Sequence, residues 1–345
     1  MKAPHPGQLA VLVEAFTDQA CQGNGAAVVL LDQPVADAAM QALARSLNQS
    51  ETAFLLPCPG GWALRWFTPS CEVPLCGHAT LAALVALQHW GLLTQGTAAT
   101  ASDFATETET EAGAETEAAT GAGAATGTAT ATGTPAGSIA TTFWTRSGTL
   151  PVALEQGMAQ LSLPAVPLQS AVPPAYLVTV LKHGLDAEIL GFWRSSLGYS
   201  VVLLPDEAPL ALMASPAPLL QAEEATGLVL MQAISTATGP FPAVAGTRAH
   251  YQLRFFAPAL GIDEDPVTGS AHALVAPYWL ARSPQPTVVG WQCSPKPGGM
   301  VCETAASGMI RLSGTGVLLW SGQLNWQPEQ GDAAVSAWQH ACQLT

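Results

Sequence analysis

The sequence predicts an α+β protein built as two pseudo-symmetric domains, each a sheet around a central helix. Three observations carry this prediction. Leu64-Arg65-Trp66-Phe67-Thr68-Pro69 returns as Leu253-Arg254-Phe255-Phe256-Ala257-Pro258 at an offset of 189 residues. Glu72 to Ala79 then returns as Glu264 to Ala271 at an offset of 192, giving eight identities in fourteen aligned positions. A period this long is no solenoid, and it implies two related half-molecules facing each other. Second, the stretches His78 to Trp90 and Ser270 to Arg282 are apolar on nearly every side, as a helix wrapped by sheet must be. Third, strand-like segments greatly outnumber helical ones.

Leu9 to Phe16 and Ala26 to Leu31 read as strands, with Gly23-Asn24-Gly25 as the turn between them. Val35 to Leu47 has helical spacing through Met40, Leu43 and Leu47. Thr52 to Leu56 is the next strand, and Leu64 to Phe67 is an aromatic-rich one stopped by Pro69. The first apolar helix follows Gly77. Further strands are expected over Met158 to Leu163, Ser200 to Leu204, Gly227 to Gln232 and Leu253 to Phe256, the last stopped by Pro258. The second apolar helix opens at Ser270, and Pro277 is expected to kink it or to end its first section. Met309 to Leu312 and Val317 to Trp320 complete the strands.

Residues 95–138 break the pattern: 14 of these 44 are Ala, 12 Thr and 7 Gly, with no Lys or Arg. Such a segment has almost nothing to bury and reads as a disordered surface insertion. The remaining 301 residues suit two domains at ~150 residues each. The expected division is 9–148 and 149–328, with a C-terminal tail over 329–345.

The chain carries 25 acidic residues against 11 Lys and Arg, a formal charge of −14, of which six units belong to the insertion. This balance argues against nucleic-acid and anionic-membrane partners, which need clustered cations. The longest apolar runs are far shorter than the roughly 20 residues of a spanning helix. Met1 to Gln8 has no apolar core of a secretory signal, so the expected compartment is cytoplasmic. Seven scattered cysteines suit reduced thiols better than a disulfide framework.

Each repeat ends in a Gly followed by a small or polar residue at a helix start, Gly77-His78 and Gly269-Ser270. Free N–H groups and the dipole make such starts anion sites, and two of them facing one cleft would hold a small carboxylate. Taken singly, either glycine could merely make a turn and Ser270 merely cap its helix. No Gly-x-Ser-x-Gly elbow, Walker loop or dinucleotide fingerprint occurs. Cys71, Cys76 and His78 lack a partner pair at metal-ligand spacing, so no metal and no cofactor is expected.

The motifs together resemble the PhzF-like phenazine-biosynthesis isomerase family. The resemblance is carried by Val13-Glu14-Ala15-Phe16-Thr17-Asp18, Gly23-Asn24-Gly25-Ala26-Ala27-Val28-Val29 and Asn48-Gln49-Ser50-Glu51-Thr52-Ala53-Phe54. It continues through Arg65-Trp66-Phe67-Thr68-Pro69, Pro74-Leu75-Cys76-Gly77-His78-Ala79-Thr80, Thr145-Arg146-Ser147-Gly148 and Glu264-Asp265-Pro266-Val267-Thr268-Gly269-Ser270-Ala271-His272. It covers nearly all the chain outside the insertion and the last fifteen or so residues. The resemblance implies the diaminopimelate-epimerase-like fold, in which mostly antiparallel or mixed sheets curl around central helices and the active site lies between the domains. It also implies a homodimer, which no residue pattern here establishes.

By the same resemblance, Glu51 matches the catalytic acid/base, and His78, Asp265 and Ser270 match supporting polar residues. Gly77 and Gly269 match the substrate-binding glycines. Read from the residues alone, Glu51 could as well cap a turn. The implied chemistry, removing and returning a weakly acidic C–H proton, calls for a carboxylate whose pKa an apolar cleft has raised. Epimerases of this fold use opposed thiols before the paired glycines; here Cys76 faces Thr268, whose hydroxyl is a poor base. The expected function is therefore a cofactor-independent isomerase acting on a small unsaturated carboxylic acid, of dihydro-hydroxyanthranilate type, through Glu51. An amino-acid epimerase or racemase and a non-enzymatic binding or scaffold protein are the alternatives. Lys296-Pro297-Gly298-Gly299-Met300 departs from the family's pattern, replacing a region where relatives carry an Arg-bearing turn.

Overall fold

The computed structural model describes residues 7–93, 138–234, 241–328 and 338. All but the last residue of the low-complexity insertion lies outside the described residues, as does all of the tail over 329–345 except Trp338. The chain opens with β1 (Gln8–Ala15), β2 (Asn24–Leu30), α1 (Asp37–Leu47), β3 (Glu51–Cys58), β4 (Gly61–Phe67), β5 (Glu72–Val73) and α2 (Gly77–His89). Then come β6 (Ile139–Thr145), β7 (Gly148–Glu155), β8 (Met158–Pro164), β9 (Gln169–Ser170), α3 (Ala175–Leu185), β10 (Gly191–Arg194) and β11 (Ser200–Leu203). A short α4 (Ala222–Thr226) precedes β12 (Leu228–Ala233), the small pair β13 (Ala243–Val244) and β14 (Thr247–Arg248), β15 (Tyr251–Ala257) and β16 (Ile262–Asp265). The chain ends through α5 (Gly269–Leu280), β17 (Thr287–Gln292), β18 (Gly298–Thr304), β19 (Met309–Gly314) and β20 (Gly316–Leu324).

The strands pair in one mixed run, β1-β2-β3-β4-β6-β7-β8-β19-β18-β17-β15-β12-β11-β10-β9, and β20 adds to β1 on its other side. The second half repeats the first. β4 and β6 are parallel strands joined through α2, and β15 and β17 are parallel strands joined through α5. Each crossover starts with a short antiparallel strand, β5 or β16. The boundary expected at 148/149 falls inside β7, which pairs with both β6 and β8.

The sequence repeat has a structural counterpart in two buried arginines. Arg65 donates from Nε and Nη2 to both oxygens of Glu72 at 2.8 Å each. Arg254 makes the same fork to Glu264 at 2.7 and 2.6 Å. In both halves a guanidinium under a strand holds the next strand in place, and the planar fork sets its direction.

Helix α2 lies against β1, β2, β3, β7, β8 and β20, and α5 against β8, β17, β18 and β19. Neither has a polar face, so burial rather than amphipathic pattern places them. Leu81, Leu84 and Leu87 are each at most 1% exposed and contribute about 1.5–3 kcal/mol apiece. α5 runs on to Leu280 with Pro277 inside it, so the helix does not end there. Pro277 lacks the N–H that would bond the carbonyl of Ala273, and the helix continues past it by three residues. α1 instead packs on the outer face through Met40 and Ala44, beside Trp338, whose indole donates to Val35 O at 2.9 Å.

Cys21, Cys71, Cys76, Cys293 and Cys302 are free thiols, but Cys58 is disulfide-bonded, against the expectation of reduced cysteines throughout. An odd count leaves room for a pair, so parity was a weak guide. Among the described residues no helix is long and apolar enough to cross a membrane.

Candidate active site

Glu51 enters the site because α1 stops where it does. Asn48 takes the left-handed conformation (φ 51°) and donates its N–H to Ala44 O, which ends the helix and turns Ser50 and Glu51 into the head of β3. Asn accepts this conformation more readily than most residues. β2 and β3 run parallel with Ala26 opposite Glu51, so Asn24 lies at the neighbouring strand's head.

Helices α2 and α5 meet at their first residues. A Cβ on Gly77 would lie 3.8 Å from Gly269 Cα, and one on Gly269 would lie 3.9 Å from Gly77 Cα. The two helix starts therefore face each other. Neither carries a side-chain cap: Cys76 makes none, and the Thr268 hydroxyl donates instead to Asp265 Oδ2 at 2.5 Å.

His78 is the hub. Its Nε2 is 3.1 Å from Glu51 Oε2 and 3.1 Å from Ser50 Oγ, while its Nδ1 is 3.4 Å from Cys76 Sγ and 3.3 Å from Asn24 Nδ2. Glu51 Oε2 is buried, and His78 Nε2 acts on it both by charge and by hydrogen bonding. Asp265 accepts from Asn24 on its other oxygen at 2.7 Å. Gln292 holds the same turn from behind, donating to Asp265 O and accepting from Thr268 N. The site residues expected from the sequence are thus gathered, with one exception. Ser270 is half-buried, and its hydroxyl makes no hydrogen bond among the described residues. Asn24 and Ser50 were missed. Gly23 does turn the chain at φ 72°, but Asn24 already belongs to β2 and reaches across to Asp265.

The charges are distributed differently from the expectation. Burial is the largest influence on Glu51 and raises its pKa, but the charge of His78 together with hydrogen bonding from His78 and Ser50 outweighs it, and the pKa lies below 4.5. Burial works against the His78 cation, yet the Cys76 sulfur and the Glu51 carboxylate push its pKa well above 6.5. Glu51 is therefore a ready carboxylate beside an imidazolium, where a raised carboxyl pKa had been expected. The apolar cleft does supply the desolvation, but it also holds a cation. Burial raises Asp265, opposed by His78, and raises the Cys76 thiol, assisted by Glu51.

Glu51, Cys76 and His78 have ligand atoms within 4.8 Å of one another. They are poorly prepared for a metal, which needs a thiolate and a neutral imidazole: burial raises the Cys76 thiol and the His78 ring is held as a cation. Lys296 bonds both oxygens of buried Glu14 at 3.2 and 3.0 Å.

The family model described as phenazine biosynthesis-like protein (PhzC-PhzF) matches residues 13–141 and 112–322. An uncharacterized isomerase of Halalkalibacterium halodurans is 31% identical over 314 residues, covering 91% of this chain and 97% of that protein. One from Pseudomonas aeruginosa is 32% identical, covering 90% and 96%. The crystal structure of a PhzF-family protein from Enterococcus faecalis superposes with a TM-score of 0.69 at 26% identity, over 92% of this chain and 99% of that one. A probable proline racemase from Agrobacterium radiobacter shares the fold, with a TM-score of 0.52 at 12% identity over 95% of each chain. Paired glycines at facing helix starts, a repeated strand–helix unit and these matches agree: the chain belongs to the PhzC-PhzF, phenazine biosynthesis-like family.

Proposed function

We propose that this member of an isomerase family moves a proton within a small unsaturated carboxylic acid, with Glu51 as the single base and no cofactor. The observation that carries the reading is the buried Glu51 oxygen, held ionised 3.1 Å from the His78 cation. Such an oxygen is an ionised acceptor awaiting a proton. In the proposed reaction the substrate C–H bond breaks and an O–H bond forms on Glu51. The electron pair spreads through the conjugated acid onto its carboxylate. Glu51 then returns a proton, the one it took or one exchanged from solvent, to another carbon on the same face. His78 keeps its proton and offsets the negative charge that moves from Glu51 to the substrate. The uncapped starts of α2 and α5 supply N–H groups where the substrate carboxylate gains charge. Asp265 receives hydrogen bonds from Asn24 and Thr268 on both oxygens, which supports a positioning role rather than proton transfer.

The test is deuterium exchange followed by NMR over a panel of cyclic and dienyl carboxylates. Glu51→Gln is expected to slow exchange by roughly 10²–10⁴-fold; equal exchange in both proteins removes Glu51 from the mechanism. Epimerisation of an amino-acid-type substrate is the second reading, favoured by Cys76 Sγ lying 3.4 Å from His78 Nδ1. Under the one-base reading Cys76→Ser keeps most of the activity below pH 6.5, where His78 can hold its proton without the sulfur, and loses it earlier as pH rises. Loss of turnover below pH 6.5 in that variant would favour a thiol base.

A further inference from the structure

Asn24 has both ends of its amide committed, and to different halves of the molecule. Its Nδ2 donates to Asp265 Oδ1 at 2.7 Å and to Val267 O at 3.1 Å, both in the turn that leads into α5. Its Oδ1 accepts from Ser50 Oγ at 3.1 Å, the residue just before Glu51. Ser50 Oγ also lies 3.1 Å from His78 Nε2. With His78 protonated, one directed chain results: His78 Nε2–H to Ser50, Ser50 O–H to Asn24, Asn24 N–H to Asp265, with Thr268 O–H closing on the far carboxylate oxygen. Nδ1–H is then left to Cys76 Sγ at 3.4 Å, and Asn24 Nδ2, 3.3 Å from Nδ1, makes no bond to it because its hydrogens go to Asp265 and Val267. Asn24 is 1% exposed and Asp265 9%, so water cannot substitute freely for a lost member.

We propose that Asn24 is a positioning residue that holds Asp265 of the second half in register with the His78–Glu51 pair of the first. The side-chain chemistry fits few alternatives. The position needs one acceptor and two donors on a short stem, and an Asp there would set a second carboxylate against Asp265. Gln292 provides the internal contrast. It pins the same turn, through Asp265 O and Thr268 N, but entirely from within the second half.

The inference rests on the reading of Glu51 and His78 as the proton-handling pair, but its test needs no substrate and so can fail separately. The full-length protein with ¹⁵N-labelled histidine is titrated by NMR. In the wild type His78 is expected to stay protonated well above pH 6.5. Asn24→Ala should lower its transition by about one pH unit, a tenfold loss of proton affinity, because Asp265, whose charge couples to His78, is no longer held in place. Loss of the Asn24 Nδ2 donor 3.3 Å from Nδ1 would by itself raise the transition. Gln292→Ala should reduce stability and leave the transition in place. Equal effects of the two variants, or no shift in Asn24→Ala, overturn the proposal. If Asn24→Ala does not fold, Asn24→Ser carries the test: its single short hydroxyl cannot hold Ser50, Asp265 and Val267 together, so the transition should again fall, and an unchanged or raised one overturns the proposal.

Discussion

At the scale of single residues, the site is organised by opposite shifts on two touching groups. Glu51 sits below 4.5 and His78 well above 6.5, so carboxylate and imidazolium coexist over the whole interval between. If turnover needs both, its acid limb lies below pH 4.5 and its alkaline limb above pH 6.5. A pH–rate profile with a limb inside that interval counts against the pairing. The same shifts act on stability. The contribution of His78, whose folded pKa is raised, is fully present below pH 6.5 and is lost as pH climbs through the folded value. That of Glu51 is present above pH 4.5 and is lost as pH falls through its depressed value. How far the site could be read from sequence depended on how each residue announces itself. Glu51, His78 and Asp265 were legible because they sit in distinctive motifs. Asn24 was hidden because Gly-Asn-Gly is also good turn chemistry, and only the fold brings residues 24 and 265 together. The pKa of Glu51 was misjudged because a sequence shows the apolar neighbours of β3 but not the cation delivered from α2.

At the scale of elements, the repeated arginine–glutamate forks matter more than their surface counterparts. Arg254 and Glu264 are buried together, and Arg254 also donates to Leu210 O and Met213 O. Arg254→Met is expected to cost about 3–5 kcal/mol, since it strands the Glu264 carboxylate. Adding Glu264→Gln should recover part of this in urea denaturation, and a full loss in the double variant would show that packing rather than charge sets the cost. The repeat was visible in sequence because both the arginine and the glutamate recur, whereas α3 was not expected at all, its Pro-flanked apolar run giving no clear boundary. α5 was expected to kink or to end its first section at Pro277 but runs on to Leu280, where packing against β17, β18 and β19 offsets the one helical hydrogen bond the proline removes. Within α5, His272 is fully buried, its Nδ1 lies 2.9 Å from the Tyr251 hydroxyl, and burial pushes its pKa down to about 3. The unfolded chain binds this proton from pH 6.5 downward, so the stability held by neutral His272 is present above pH 6.5 and erodes toward pH 3. The loss approaches roughly 5 kcal/mol. Denaturation midpoints of wild type and His272→Gln should therefore diverge above pH 6.5 and converge in acid; parallel curves would dismiss this assignment.

At the scale of the whole molecule, the pseudo-symmetry visible in sequence coexists with a connection that it did not reveal. The last two strands belong as much to the first half as to the second. β19 pairs with β8 and β20 with β1, so the run of strands around α2 closes on itself only through residues 309–324. A long-range pairing of this kind leaves no local trace in composition or periodicity. It has a consequence for synthesis. A ribosome delivers β1 and β8 early, yet their free edges wait for strands that emerge last, so the first half cannot mature ahead of the second as independent domains do. Expressed alone, residues 1–165 should expose both edges and aggregate; co-expression with 166–345 should recover soluble protein. The interval between translation of residue 164 and residue 324 is then a window in which the nascent chain depends on chaperones.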